Sequence, residues 1–527
     1  MVRTLYFLVS TAAIVLVILL TQVWQNAWWL LLLIAPIIFL GIYDMTQTRS
    51  TIPRIFPVVG RLRFLFEAVR PEMQQYFVES DINGIPVNRE FRSLIYQRAK
   101  GARDTRPFGT LFDVYRPGYE WMNQSMSPCA IPAEEPRVIF GGKDCQQPYA
   151  ASHLNISAMS FGALSQHAIQ ALNKGASLGG FAHNTGEGGI SPYHLAPGGD
   201  LVWQIGTGYF GCRDHNGHFD LELFRDKAAL PQVKMIEIKI SQGAKPGHGG
   251  ILPAAKLTAE IAGIRHVMMG HDVVSPPAHT VFTSPEGLLQ FVAQLRNLSQ
   301  GKPVGFKLCL GHRADFLGIC KAILETGILP DFITIDGGEG GTGAAPVELT
   351  NSVGTPLRDA LWCVHNALRG IGVRDQLKLI ASGKHFSAFH ILRSLALGAD
   401  TINTARGMMF ALGCIQSRQC NANTCPTGVA TQDPRRYKHL HIENKARRVA
   451  HYHRSTIHAL LELVATTGLD TPSQVEPRHL LHRINGPDIR SYAELYPGIT
   501  EGCLIHPEAA PADWQRDWRK ASPTSWH

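Results

Sequence analysis

The sequence predicts an α/β protein: a (β/α)₈ TIM barrel preceded by an N-terminal two-helix transmembrane hairpin. Three observations predict it. From about residue 154 the chain repeats a short apolar, β-branched run, a glycine-rich or polar turn and a helical stretch. The run occurs eight times; alternation with helices calls for a parallel sheet, and eight strands close a barrel. Two long uncharged runs fill most of the first 43 residues.

The hairpin comes first. Residues 5–23 and 27–43 carry no charge and are separated only by Trp24, Gln25 and Asn26. At a rise of about 1.5 Å per residue, each run nears the length that crosses a hydrocarbon core of about 30 Å. Trp24, Trp28 and Trp29 sit where interfacial aromatics are expected, Arg3 precedes the first run, and Arg49, Arg54, Arg61 and Arg63 follow the second. Positive charge at both outer ends and none in the turn predicts both termini in the cytoplasm, with the body of the chain on that side of the cytoplasmic membrane. A cleaved signal peptide is the alternative, but no small-x-small cleavage site precedes the second run.

The expected organisation is a hairpin over 1–44, an Arg-, Pro- and aromatic-rich linker over 45–150, a barrel over 151–435 and a helical extension over 436–527. The linker should hold extended segments and short helices. The eight strand-like runs are 154–158, 180–183, 201–205, 235–240, 304–308, 332–335, 377–380 and 401–403. Helix-like stretches cover 165–178, 254–262, 284–298, 314–326, 355–368 and 387–397. The interval between the fourth and fifth strands is irregular. Beyond the barrel, 442–466 reads as one long amphipathic helix stopped by Gly468.

Composition narrows the function. Lys and Arg exceed Asp and Glu by only 50 to 42, and they are scattered apart from clusters after the hydrophobic runs and near 446–448, so no nucleic-acid partner is expected. Ten cysteines in 527 residues do not make a disulfide scaffold. Cys414, Cys420 and Cys425 fall together, which suggests metal ligation in a reducing compartment.

The unusual residues lie at or just after strand ends, the face on which barrel enzymes build active sites. Ala381-Ser382-Gly383-Lys384 ends the seventh strand, Ala405-Arg406-Gly407 the eighth, and Asp336–Gly343 is a glycine-rich run after the sixth. Glycines let backbone N–H groups approach a phosphate and Arg406 can contact it, so these three stretches are read as a phosphate site rather than ordinary turns. Gly206-Thr207-Gly208-Tyr209-Phe210-Gly211 formally matches GxGxxG, but the turn-like Cys212–Gly217 stretch follows, so a dinucleotide fold is rejected. Lys239 and Lys307 lie inside strand-like runs, where a buried lysine needs an anionic partner. The negative edge of a reduced flavin is one; a structural carboxylate such as Glu237 is another. Cys414-x₅-Cys420-x₄-Cys425-Pro426 offers three thiolates in one loop, which suits an iron–sulfur cluster lacking one iron; a non-cysteine fourth ligand, or zinc without the usual CxxC pairs, stays open.

These motifs carry a family resemblance. Ser157-Ala158-Met159-Ser160-Phe161-Gly162, Asn184–Gly189, Ile238–Gly247, Ser275-Pro276-Pro277, Gly340–Ala344, the cysteine loop and Cys425–Gln432 together resemble the FMN domain of glutamate synthase, in the same order over about 150–470. The resemblance implies an FMN-binding barrel with a [3Fe–4S] cluster on Cys414, Cys420 and Cys425. It implies flavin-ring contacts at Ala158, Met159, Ser160, Lys239 and Lys307, with Gln204 as a further cofactor contact. Gly341, Thr342, Gly383, Arg406 and Gly407 would lie near the phosphate. Glu187, Lys245 and Arg265 match substrate positions, Glu187 and Lys245 as catalytic residues, with Lys245 and Arg265 binding two carboxylates. The implied reaction reduces 2-iminoglutarate, from 2-oxoglutarate and ammonia, to L-glutamate. Three departures bear on it. Ile251 stands where the family has Gln, which opens an alternative: an FMN barrel acting on another amino or keto acid or on an N-alkyl amino acid. The chain starts Met1-Val2 without the glutamine-hydrolysing domain, and the β-helix domain is also missing, so ammonia is expected free or from a separate glutaminase. No NAD(P)H module is visible, so the electron donor is expected to be a separate protein or a membrane carrier.

Overall fold

The computed structural model describes residues 1–526. Contacts divide the chain into two units, 1–89 and 90 onward.

The first unit opens with α1 (Val2–Thr21), a 3₁₀ turn (Gln25–Leu30) and α2 (Leu31–Thr46). Helices α1 and α2 pack as a hairpin: Tyr6 donates its hydroxyl to the Ile38 carbonyl at 2.5 Å, and its ring fills the space that a side chain at Gly41 would occupy. Val17 is the one buried residue of α1, and Gly41 and Asp44 are the buried ones of α2. Most of the apolar surface of both helices is left exposed. A short helix (Thr51–Ile55) and α3 (Arg61–Met73) follow. At 13 residues, α3 is longer than expected of the linker; its apolar period is hard to see among the interleaved arginines and prolines.

In the second unit, eight parallel strands close a barrel in sequence order: β1 (Leu154–Ile156), β2 (His183–Asn184), β3 (Leu201–Ile205), β4 (Val233–Lys239), β5 (Val304–Leu308), β6 (Phe332–Asp336), β7 (Lys378–Ser382) and β8 (Thr401–Thr404). Closure is the pairing of Ile402 with Leu154 and of Thr404 with Ile156. Every residue of β1, β3, β5, β6 and β8 is buried, as a sheet covered on both faces requires. The irregular stretch between β4 and β5 holds an antiparallel ribbon (Ile251–Leu252 with Val273–Val274) and a helix (Ala259–Arg265). The expected single helix over 254–262 is split there, because Thr258 caps a new helix by accepting the Ile261 N–H.

Helix α4 (Gln166–Gly179) follows β1, and the short α5 (Arg406–Leu412) follows β8. Helix α6 (Ile442–Thr466) packs along α4, and Val449 sits against Gly175, where a Cβ would collide with it. Residues from 480 onward pair back on the segment before the barrel: the strand Leu480–Arg483 lies antiparallel to Glu120–Met122.

Candidate active site at the barrel mouth

Charged side chains converge at the C-terminal ends of the strands. Deep in the barrel, Glu237 on β4 is fully buried and accepts from Asn184 Nδ2 (2.8 Å), Gln204 Nε2 (2.6 Å) and Thr334 Oγ1 (2.6 Å). All three of these hydrogen bonds come from neutral donors, and Glu237 is not the partner of Lys239. Lys239 instead pairs with Glu187, in the loop after β2, at 2.9 Å. Lys307 lies 3.3 Å from Asp336 at the end of β6. Burial alone would lower the Lys307 pKa, but Asp336 and Glu237 raise it, so this lysine stays charged.

Glu187 is the hub of the mouth. Its carboxylate is wedged between Gly206 and Gly250: a Cβ at either glycine would lie 2.6 Å or less from it. Burial favours its neutral form, yet Lys239, Arg265 and Lys245 together hold its pKa below the usual carboxylate value. Lys245 is 1% exposed, and burial lowers its pKa to about 8 against the opposing pull of Glu187. Arg265 comes from the last turn of the helix in the β4–β5 insert. It is buried, and its pKa is pushed down to about 10. Its guanidinium lies over the Phe210 ring and fits against Gly162 and Gly188, while its Nε has no protein partner. Ser275 Oγ is likewise buried without a partner, and the Ser275-Pro276-Pro277 segment closes over this corner through Ser275 N–H to Gly250 O (2.9 Å) and Thr207 Oγ1 to Pro276 O (2.6 Å). The structure therefore brings Glu187, Lys245, Arg265 and Lys239 together. Partnerless buried donors beside them are what an absent polar ligand would satisfy.

The loops after β6, β7 and β8 also meet. Gly337 N–H donates to Ser382 O at 3.0 Å, Arg406 Nη2 to Glu339 O at 2.9 Å, and the open face of Gly341 lies over the Arg406 guanidinium. Lys384 and Arg406 both have lowered pKa values, chiefly from burial; Arg406 depresses Lys384 further, and Glu339 opposes in both cases. Two crowded cations beside exposed Gly341 and Thr342 suit a bound anion. Gly383 and Gly407 are glycines for packing reasons too: a Cβ would meet Leu357 at 2.9 Å and the Tyr452 hydroxyl at 2.7 Å, respectively. Met159 donates its N–H to Asn184 O, which fixes the Ala158-Met159-Ser160 turn over the barrel end.

The cysteine loop lies on this same face. Gln432 Nε2 donates to Gly162 O (3.0 Å) and Leu164 O (2.8 Å), stitching the loop to the turn after β1. A Cβ at Gly343, in the loop after β6, would lie 3.7 Å from Cys420 Cβ. Each thiol is buried or half-buried and feels its neighbours: Cys414 is pushed up to about 12 by burial, with Cys420 and Cys425 adding to the rise. Cys425 goes the other way. Burial raises its pKa, but the Thr427 hydroxyl and the N–H groups of Ala430, Thr427 and Val429 outweigh that and favour its thiolate. Three of the eight described non-glycine residues with positive φ, Gln416, Arg418 and Asn423, wind this loop. Among the described residues no three Cys, His or carboxylate side chains converge on one metal ion.

Lys256 is the residue that sequence reasoning missed. It is 2% exposed, and its ammonium donates to Ala163 O (2.5 Å) and Cys420 O (3.3 Å), tying the turn after β1 to the cysteine loop. Its one visible signal was a lysine inside the otherwise apolar run 251–257.

A closed parallel barrel whose strand ends gather an ionised carboxylate, several buried basic side chains and a thiol loop is built as an α/β-barrel enzyme. Residues 123–470 match the family described as the conserved region in glutamate synthase. The chain is 38% identical over 489 residues to the glutamate synthase large subunit-like protein YerD of Bacillus subtilis, covering 85% of this chain and 93% of that one. It is 36% identical over 318 residues to the archaeal glutamate synthase [NADPH] of Methanocaldococcus jannaschii, covering 60% of this chain and 59% of the relative's length. A solved structure of mandelate oxidase overlaps 82% of this chain at 13% identity with a TM-score of 0.41. The chain belongs to the glutamate synthase family and is an oxidoreductase of that type, acting on CH–NH2 donors.

Proposed function

We propose that this chain is an FMN- and iron–sulfur-dependent enzyme that reduces 2-iminoglutarate, formed from 2-oxoglutarate and ammonia, to L-glutamate with electrons from an external donor. The grouping of Glu187, Lys239, Lys245 and Arg265 beside the three-cysteine loop carries the reading. The donor set fits FMN: Arg406 and Lys384 offer paired cations and Gly341 an open backbone for a phosphate, while Lys239, Lys307, Gln204 and the Ala158-Met159-Ser160 turn line the barrel end. Cys414, Cys420 and Cys425 fit a [3Fe–4S] cluster. When bound, FMN would supply hydride to the imine carbon and the cluster would pass electrons singly.

The protein's own residues do the rest. A dicarboxylate needs two cationic donors, and Lys245 and Arg265 supply them from a buried wall where the pairing is strong. Glu187, held ionised by three cations, can only accept hydrogen bonds. It is suited to hold ammonia and then the N–H of the protonated imine, the form more open to hydride. Lys245, with its pKa near 8, can give a proton to the hydroxyl that leaves as water when the imine forms.

A specific observation favours a second reading. Ile251 adjoins Gly250, whose backbone abuts the Glu187 carboxylate, and puts an alkyl group where the family has an amide. That change suits another amino or keto acid, or an N-alkyl amino acid. The exposed hairpin supports attachment to the cytoplasmic membrane, with the donor a separate protein or a membrane carrier. Purified full-length enzyme given a chemical reductant, 2-oxoglutarate and ammonium should form glutamate, and the E187Q variant should not. Turnover only with a different oxo acid or amine would select the second reading.

A further inference from the structure

Helix α3 and the π turn after it (Gln74–Val78) carry an apolar face that the first unit leaves uncovered. Leu62, Leu65, Phe66, Val69, Met73 and Tyr76 recur at three- and four-residue spacing and so share one side, with Arg63, Glu67, Arg70 and Gln74 opposite. No residue of α3 is buried, and exposure along the apolar face runs from 42% at Val69 to 64% at Phe66. A contiguous patch of this size on a helix too short to be stable by itself in water calls for a cover.

The start of α3 is pinned to the hairpin. Asp44, buried in the last turn of α2, accepts from the Val58 N–H at 3.0 Å and from Arg61, the first residue of α3, at 2.6 and 2.9 Å. Arg3, at the opening of α1, donates to the Arg54 carbonyl at 2.7 Å. Both outer ends of the hairpin and the first turn of α3 therefore lie at one level, and Arg49, Arg54, Arg61, Arg63 and Arg70 cluster in sequence there. If the hairpin spans a bilayer, that level is its cytoplasmic interface, where basic residues meet anionic headgroups.

We propose that α3 lies in the plane of the cytoplasmic leaflet, with its Leu62–Leu65–Phe66–Val69–Met73–Tyr76 face in the acyl boundary and Arg63 and Arg70 toward anionic lipid headgroups. This rests on the membrane reading of the hairpin. It turns two spans into a three-part anchor whose last part binds the lipid surface.

The test uses the full-length protein, with a photoreactive benzoylphenylalanine replacing Phe66, Val69 or, on the opposite face, Glu67, reconstituted in phosphatidylglycerol–phosphatidylcholine vesicles. An unchanged visible spectrum of each variant confirms that the body is folded. Lipid adducts several-fold more abundant at Phe66 and Val69 than at Glu67 are expected. Adducts equal on both faces, adducts of doubled chain mass, or links to residues beyond 90 would overturn the proposal. Release of the unmodified protein from the vesicles by alkaline carbonate would sink the hairpin reading and this one together. Retention without lipid adducts at Phe66 and Val69 would sink this one alone.

Discussion

Lys245 is the residue whose chemistry is most sensitive to its surroundings. Its folded pKa, near 8, is lowered mainly by burial, so its charge is present below that value and lost as pH rises through it. If it binds a carboxylate, kcat/KM for 2-oxoglutarate should fall above pH about 8 with the loss chiefly in KM, and K245R should move the fall to higher pH; steady-state pH profiles check this. Lys256 makes a second prediction. A positive charge next to the thiols favours the reduced, more negative cluster. K256M should shift its reduction equilibrium by roughly tenfold, or about 59 mV more negative for a one-electron couple, while K256R should not, as read by redox titration of the holoenzyme. That Glu187, Lys239 and Lys245 fall at or just after strand ends was legible in the sequence. Their partners were not. Lys239 faces Glu187, 52 residues upstream, and not Glu237: alternation puts both on the same face of the strand, but the Glu237 carboxylate is taken by Asn184, Gln204 and Thr334.

Among elements, β3 and β5 fall where hydrophobic runs and turn residues place them, and α6 runs from 442 to 466 as its period requires. The second strand is the weakest: expected over 180–183, it pairs only at His183 and Asn184, since Gly180 adopts φ 65° to end α4. The linker was harder still, because its contacts are distant in sequence. Glu120, in the strand before the barrel, pairs with Arg393 at 2.7 Å and with Arg358, accepts from Tyr492 at 2.6 Å, and lies 3.2 Å from His482. Burial raises its pKa, but Arg393 and Arg358 outweigh this and bring it to about 2. Its folded value lies below the unfolded one, so its contribution is full above the unfolded carboxylate range and lost as pH falls toward 2. E120Q should cost roughly 3 kcal/mol at pH 7 and much less at pH 3, measured by urea unfolding of the detergent-solubilised protein.

For the whole molecule, the eightfold alternation foretold closure, and the sheet closes by pairing β8 with β1. Closure is what brings residues as distant in sequence as Gly162 and Gln432, or Gly343 and Cys420, to one rim. No local pattern could place them there, but the rule that catalytic residues gather at the C-terminal ends of barrel strands could. The account stands on that rim holding a flavin and an iron–sulfur cluster side by side. The most direct measurement is the flavin, iron and acid-labile sulfide content of the purified full-length protein, with and without Cys414→Ser. Bound FMN with iron and sulfide in cluster proportion, and loss of the iron and sulfide but not the FMN in the variant, is the predicted result. Protein that binds neither flavin nor iron when both are supplied, or that keeps its iron without Cys414, would contradict it.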